Sequence, residues 1–501
     1  MTGRLGSRPR SPLLLGLFVG LLSGLVPGDA PAARVAVQEA ALPLGRLVER
    51  REIPGGGSTP AHSYAFYLPT GYRAESPAPI VYLFDSKGRG ADLARPFVAA
   101  AERFGFVLAS SNDTSNLGSM EPNFALAAEL WRDTHERLAI DDRRVYAVGF
   151  SGMSRFVCTL AFRAPGSLAA VIGASGGYPL GRPPSADAPF PFFGLVGDLD
   201  FNWYEMLDVE ERLAAAGTRH RLELFTGSHE FPPAEAAGRA LAWLELLAMR
   251  KGQRPPSPQL AREILTEDAV RARDLAASGE RWRAWRIDRS IVQELGTAGE
   301  LGLADGEPLG AEIEAARARF AATEADPSFA RERKERAARD DRDRVYLEDV
   351  PRRFARLVPD PSPERLSEAL TSLGIPDLQT TARTATDPEE RRSAERRLYA
   401  VYIQTGLYLP RLFSGRAAYG PAIFFLEIAR AIRPDVPHIA FRLAVAHAGR
   451  GNPKKAIEEL ERAAALGWDD RTAIENEKVF DPLRKNPRFA AVLARVLRMP
   501  G

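Results

Sequence analysis

Between residues 44 and 250, short β-branched or aromatic runs alternate with longer helical patterns. The predicted strands are Ser63–Leu68, Ile80–Phe84, Phe106–Ala109, Val145–Phe150, Ala169–Ala174, Phe190–Val196 and Leu222–Phe225. Predicted helices lie between them, at Asp92–Arg103, Asn123–Leu138, Gly152–Arg163, Tyr204–Ala215 and Ala234–Met249. The middle strands are apolar throughout instead of alternating, so both of their faces need cover. The expected architecture is therefore a mostly parallel α/β sheet with helices on each side. Sheets of this kind carry their sites in loops at the strand carboxyl ends.

A chain of 501 residues is too long for one such core. The polar, Pro-rich stretch Lys251–Pro258 is the expected boundary, and beyond it strand signals cease. Residues 305–344 mix Glu, Arg and Ala and predict a solvated helical hairpin broken near Pro327. Near the C-terminus, Ala444, His447, Gly451, Ala456, Leu460 and Ala463 are spaced like the packing positions of a tetratricopeptide helix pair. One 34-residue period earlier, Ala422, Leu426 and Ala429 fall on the last three positions, with Pro434 after them. Pro410 departs from that earlier repeat, and residues 480–496 read as capping helices.

The first residues stand apart. Arg4, Arg8 and Arg10 precede the uncharged apolar run Leu13–Val26, which Pro27 and small residues follow. This is the layout of a secretory signal peptide, and the run is shorter than the roughly 20 residues a membrane span needs. The expected organisation is thus a leader at 1–32, an α/β domain at 33–252, a charge-rich helical segment at 253–400 and helical repeats at 401–501. Export to the periplasm or medium follows from the leader. The net charge of +2 with no basic stripe excludes an evident nucleic-acid surface. Cys158 is the only cysteine, which excludes an intrachain disulfide and a cysteine-based metal site.

The chemistry concentrates at Arg144–Met153, where an apolar strand runs into Gly149-Phe150-Ser151-Gly152 and a helical pattern starts at once. A serine at such a sharp turn projects its hydroxyl from the sheet, and free N–H groups of the helix start favour developing negative charge. Gly149 leaves room for the helix to cross the strand. Two acids, Asp198 and Asp200, follow the strand that ends at Val196. Of six histidines, only His229 stands in a loop at a strand carboxyl end. Gly88-Arg89-Gly90 lacks the Gly-Lys-Ser/Thr ending of a phosphate loop.

With these residues in place, the stretch from Tyr64 to about Leu247 resembles α/β-hydrolases of the secreted esterase and polyhydroxybutyrate-depolymerase-like type. The resemblance implies an α/β-hydrolase sandwich followed by an all-α, tetratricopeptide-like domain. It implies the chain order Ser151, Asp200, His229 for a catalytic triad, with Asp200 chosen over Asp198 by the family pattern Gly-x-x-Asp. The oxyanion donors would be the N–H of Gly152 and that of Ser86 or Lys87, where the family has His-Gly against Asp85-Ser86 here. Met153, Phe201, Trp203 and Tyr204 are candidates to line a substrate pocket. The implied activity is hydrolysis of a small or oligomeric ester without metal or cofactor, the repeats offering a surface to a protein partner. A serine peptidase and a non-catalytic hydrolase-like scaffold are the alternatives. The leader predicts a mature chain beginning between Ala30 and Ala33. Intact-mass measurement of the native protein checks this, and soluble cytoplasmic chains starting at Met1 or Thr2 would contradict it.

Overall fold

The computed structural model describes residues 43–55, 61–188, 190–303, 308–359 and 361–496. The leader expected at 1–32 lies outside the described residues. Eight strands form one sheet: β1 (Leu47–Ile53), β2 (His62–Tyr67), β3 (Ala78–Phe84), β4 (Val107–Ser111), β5 (Ile140–Phe150), β6 (Ala170–Ala174), β7 (Phe192–Gly197) and β8 (His220–Phe225). Their order is β1-β2-β4-β3-β5-β6-β7-β8. β1 and β2 are antiparallel to their neighbours, and every other pairing is parallel. This mostly parallel, doubly covered sheet with its crossover at β3 is the α/β-hydrolase fold.

The pleat explains the cover. Ile80, Tyr82 and Phe84 of β3 enter one core with the helices Glu121–Arg137, Gly152–Arg163 and Trp203–Ala215. Val81 and Leu83 enter the opposite core with Leu93, Phe97 and the helix Ala234–Arg250. Successive residues thus face different helical layers, as a strand covered on both faces requires. β1 was not expected from the sequence. Its LVERREI pattern leaves Glu49, Arg50 and Glu52 exposed, as an edge strand allows.

After β8 the described residues hold helices and no further strand. The Pro-rich stretch joins units that share a core: Ala242, Leu246 and Met249 pack against Ala261, Ile264 and Leu265 of the helix Pro258–Ala277 and against Ile287 and Ile291 of Arg281–Leu295. The charge-rich segment forms two helices, Ala311–Ala325 and Pro327–Leu357. The break falls at Asp326, whose side chain accepts the Ser328 N–H and caps the second helix. Proline at the first helical position recurs at Pro258, Pro327, Pro388, Pro437 and Pro453, where the missing N–H costs nothing.

Three helices carry the repeat positions: Tyr419–Ile432, Pro437–Gly449 and Pro453–Ala465. Ala422, Leu426 and Ala429 pack against Ile439 and Leu443. Ala456, Leu460 and Ala463 pack with Ala444, Phe480 and Phe489. Pro410 is buried in the short helix Leu409–Ser414, directly after a single π-turn at Gln404–Tyr408. Ala456 is fully buried at its crossing. Ala456→Leu is therefore expected to destabilise the protein by about 1–3 kcal/mol through overpacking. Denaturant unfolding measures this, and an unchanged midpoint would show that the crossing has room.

Candidate active site

The parallel register brings the strand carboxyl ends to one level. Phe84 pairs with Gly149, and Phe150 pairs with Ala174. Val196 pairs with Leu224, and Gly197 pairs with Phe225. The loops after β3, β5, β7 and β8 therefore open on the same edge of the sheet.

Ser151 follows β5 with φ 56° and ψ −121°, in the left-handed region that side chains disfavour. Such a conformation costs on the order of 1–3 kcal/mol and needs surrounding contacts to hold it. Those contacts are present. The Ser151 N–H donates to the Ala174 carbonyl at 2.8 Å. A Cβ built on Gly149 would collide with the Met153 carbonyl, and one built on Gly176 with the Ser151 carbonyl. Glycine at both positions lets the helix Gly152–Arg163 cross close to the strand.

Ser151, His229 and Asp200 form one hydrogen-bonded chain. Ser151 Oγ lies 2.9 Å from His229 Nε2, and His229 Nδ1 lies 3.0 Å from both Asp200 oxygens. With the Nδ1 proton directed at Asp200, Nε2 is left to accept the serine hydroxyl. Asp200 is wholly buried, and its Oδ1 also accepts the Asn202 N–H at 2.8 Å. The imidazole is gripped by two rings, Phe201 at 4.2 Å and Phe150 at 5.0 Å between centroids.

Asp198, the other acid of the loop, faces away from His229. Its Oδ1 accepts the Gly227 N–H at 3.1 Å and its Oδ2 accepts Arg283 Nη2 at 2.6 Å. It thereby ties the loop bearing Asp200 to the loop bearing His229. Arg283 belongs to the helical region, as does the buried Arg396, whose Nη1 donates to the Asp198 carbonyl at 2.9 Å. Arg396 Nε also reaches the Tyr204 hydroxyl at 3.2 Å, and that hydroxyl bonds Asp343.

The loop after β3 is organised by Asp85. This buried carboxylate accepts the N–H groups of Lys87 at 3.1 Å and Arg89 at 3.2 Å, together with the Arg89 guanidinium at 2.8 and 3.0 Å. The Lys87 N–H is thus engaged by the Asp85 carboxylate. Arg89 in turn lies 4.5 Å from the Phe231 ring, which packs on Phe150. The pocket expected from Met153, Trp203 and Tyr204 is corrected: all three are buried in the core beneath the loops, and Phe201 alone of the four reaches His229. Met153 turns inward because the first turn of its helix faces the sheet. Cys158 is also buried, and burial pushes its thiol pKa up.

Sequence reasoning missed Asn116, Arg283 and Arg396. Asn116 stands against Gly152, with its Nδ2 3.1 Å from where a Cβ would project. Its signal was weak, a lone Asn in a polar loop.

No protein-family model matches the chain, and no curated protein matches it in sequence. Among solved structures it is similar to an S-formylglutathione hydrolase from Staphylococcus aureus, at 13% identity over 40% of this chain and 98% of that one, with TM-score 0.34. It is similar to a ferulic acid esterase at 15% identity, over 40% of this chain and 98% of that one, with TM-score 0.33. It is similar to an arylesterase at 13% identity, over 43% of this chain and 87% of that one, with TM-score 0.34.

The Arg396 contacts make a stability prediction. Arg396→Met leaves the Asp198 carbonyl without its buried donor and is expected to cost about 1–3 kcal/mol. Chemical denaturation measures the loss, and wild-type stability would show that the contact is dispensable.

Proposed function

We propose that the chain is a serine hydrolase that cleaves carboxylic esters through an acyl-enzyme. The observation that carries this reading is the aligned chain of Ser151 Oγ, His229 and Asp200, with hydrogen-bond distances of 2.9 and 3.0 Å. Ser151 Oγ attacks the ester carbonyl carbon while His229 Nε2 takes its proton. The carbonyl oxygen becomes an oxyanion, held by the N–H of Gly152 and that of Ser86. The tetrahedral intermediate collapses, and the leaving alkoxide takes the proton from the imidazolium. Water then repeats the sequence on the acyl-enzyme and releases the carboxylic acid.

Asp200 holds the imidazole tautomer and stabilises the imidazolium without itself becoming protonated. Phe150 and Phe201 keep the ring in place and shield it from water. The chemistry requires no metal or cofactor. The leader supports an exported enzyme. The helix pairs from Tyr419 onward are read as tetratricopeptide-like, with an outer surface open to a protein partner.

A panel of p-nitrophenyl esters and peptide anilides tests the reading. Ester turnover should exceed anilide turnover and vanish in Ser151→Ala. Asp200→Asn should lower kcat by about four orders of magnitude, the scale expected for the wrong tautomer. Asp198→Asn should lose far less, since its carboxylate faces Gly227 and Arg283. Full ester turnover by Ser151→Ala protein would sink the mechanism.

A further inference from the structure

Among the described residues, β8 closes one side of the sheet with only β7 beside it. Along its free edge lies a cavity of about 300 Å³, walled by the helices Pro258–Ala277 and Arg281–Leu295. That volume is at the lower end for sites that hold small molecules. Every residue of β8 lines it, whereas Ser151, Asp200 and His229 do not. It is a second site, apart from the one described above.

The cavity is rich in arginine, and the arginines gather in two groups. Neighbouring side chains of a strand point to opposite faces. Glu223 points to the face covered by the helix Ala234–Arg250, where it receives Arg239 and Arg271 along with Arg221 of its own strand. Asp268 takes up Arg221 from outside the cavity, at 2.7 and 2.9 Å. Leu222 points to the other face, covered by the helix Trp203–Ala215. There Glu210 receives Arg286 at 2.7 Å and Arg289 at 3.1 Å, both on the same oxygen. Each group thus has two guanidiniums sharing one carboxylate. The remaining arginine of the lining, Arg283, is directed to Asp198 and Glu280. Glu235 also lines the cavity, but it is exposed and makes no ion pair among the described residues.

A guanidinium carries five N–H donors, and most of these are unused here. Arg239 gives its Nε to Glu223 at 3.0 Å, and among the described residues no acceptor meets its Nη1 or Nη2. Arg289 gives Nη2 to Glu210, and its Nε and Nη1 are likewise unmet. Arg286 gives Nη2 to Glu210 and to the Leu222 carbonyl at 3.3 Å, and its Nε has no partner although the side chain is only 9% exposed. Tryptophan faces hold two of these forks in place, Arg286 at 4.9 Å from the Trp282 ring and Arg289 at 4.8 Å from the Trp285 ring. A fork fixed in advance loses little freedom when an oxyanion arrives. Burial lowers the pKa of Arg239 and Arg289, and the nearby Arg271 and Arg286 lower them further, though guanidiniums remain charged at neutral pH. Between the two groups the lining includes Leu222, Leu224 and Ile287.

We infer that this cavity binds a small organic dianion, with one carboxylate or phosphate group at Arg239 and Arg271, the other at Arg286 and Arg289, and a short apolar body against Leu222, Leu224 and Ile287. Charge-assisted hydrogen bonds from forked guanidiniums suit such oxyanions at each end. The inference is independent of the hydrolase reading.

The test measures binding to the full chain by titration calorimetry at matched ionic strength. Adipate is compared with hexanoate, which has the same carbon count and one carboxylate fewer. Adipate should bind at least about tenfold more tightly, as a second charge-assisted contact predicts. Hexane-1,6-diyl bisphosphate distinguishes a phosphate site from a carboxylate site, and saturable binding of either dianion with that preference supports the inference. Arg239→Gln and Arg289→Gln, each made singly at a partly exposed position, should each weaken the dianion about tenfold. Wild-type protein that binds neither dianion, or binds adipate no better than hexanoate, overturns the inference. So does undiminished dianion affinity in both folded variants. Where a variant fails to fold, a wild-type crystal soaked with the tighter dianion decides: its two charged ends at the two arginine groups support the site, and density only elsewhere overturns it.

Discussion

The backbone reversal at Ser151 is the constraint on which the rest of the α/β unit depends. A side-chain-bearing residue at φ 56° is unstable in isolation. It persists here because its N–H is bonded to Ala174 at the end of β6, and because Gly149 and Gly176 let helix and loop approach without a Cβ between them. The same level of the sheet repeats the device: Ser175 also has positive φ, and its N–H donates to Leu195 of β7 at 2.7 Å. Register across β3, β5, β6 and β7 thus fixes where the hydroxyl stands relative to the loops that carry Asp200 and His229. A slip of one residue would turn each strand over and break both cores.

The helical region is joined to this edge by polar contacts that cross large sequence distances. Arg396 and Asp198 are 198 positions apart, Arg283 and Asp198 are 85 apart, and Arg344 and Asp208 are 136 apart. Taking a guanidinium out of water is costly, and a buried pair is weak evidence for stability in itself. What these contacts supply is geometric selection, because Asp198 accepts from Arg283 and from the Gly227 N–H at the same time. The loops bearing the acid and the histidine are held together, and the helices are held to both. A Pro-rich stretch that reads as a linker therefore connects parts with a shared core and a shared site edge.

Much of the α/β unit was legible because its strands are apolar on both faces, a pattern with few solutions. β1 escaped notice because Glu49, Arg50, Arg51 and Glu52 give it no apolar run, and only pairing to β2 makes it a strand. Ser151, Asp200 and His229 were legible from strand-end positions and from a family resemblance. Met153, Trp203 and Tyr204 were misplaced because aromatic and sulfur side chains near a turn serve core and pocket equally well in a sequence. Asp85 read as a departure from a His-Gly pattern, whereas its carboxylate gathers two backbone N–H groups and Arg89 to shape the loop. The arginines from the helical region had no local signal, since Arg283 and Arg396 lie 85 and 198 positions from Asp198 and surface charge of both signs is common there.

The central claim is that Ser151 is a nucleophile activated by His229 and aimed at an oxyanion site. Its most direct test is a crystal structure after reaction with a fluorophosphonate, with peptide mapping of the same sample. The account predicts one covalent phosphonyl group on Ser151 Oγ, its phosphoryl oxygen within hydrogen-bond distance of the Gly152 and Ser86 N–H groups. An unmodified Ser151 after prolonged exposure, or a phosphonyl oxygen directed away from both N–H groups, would contradict it.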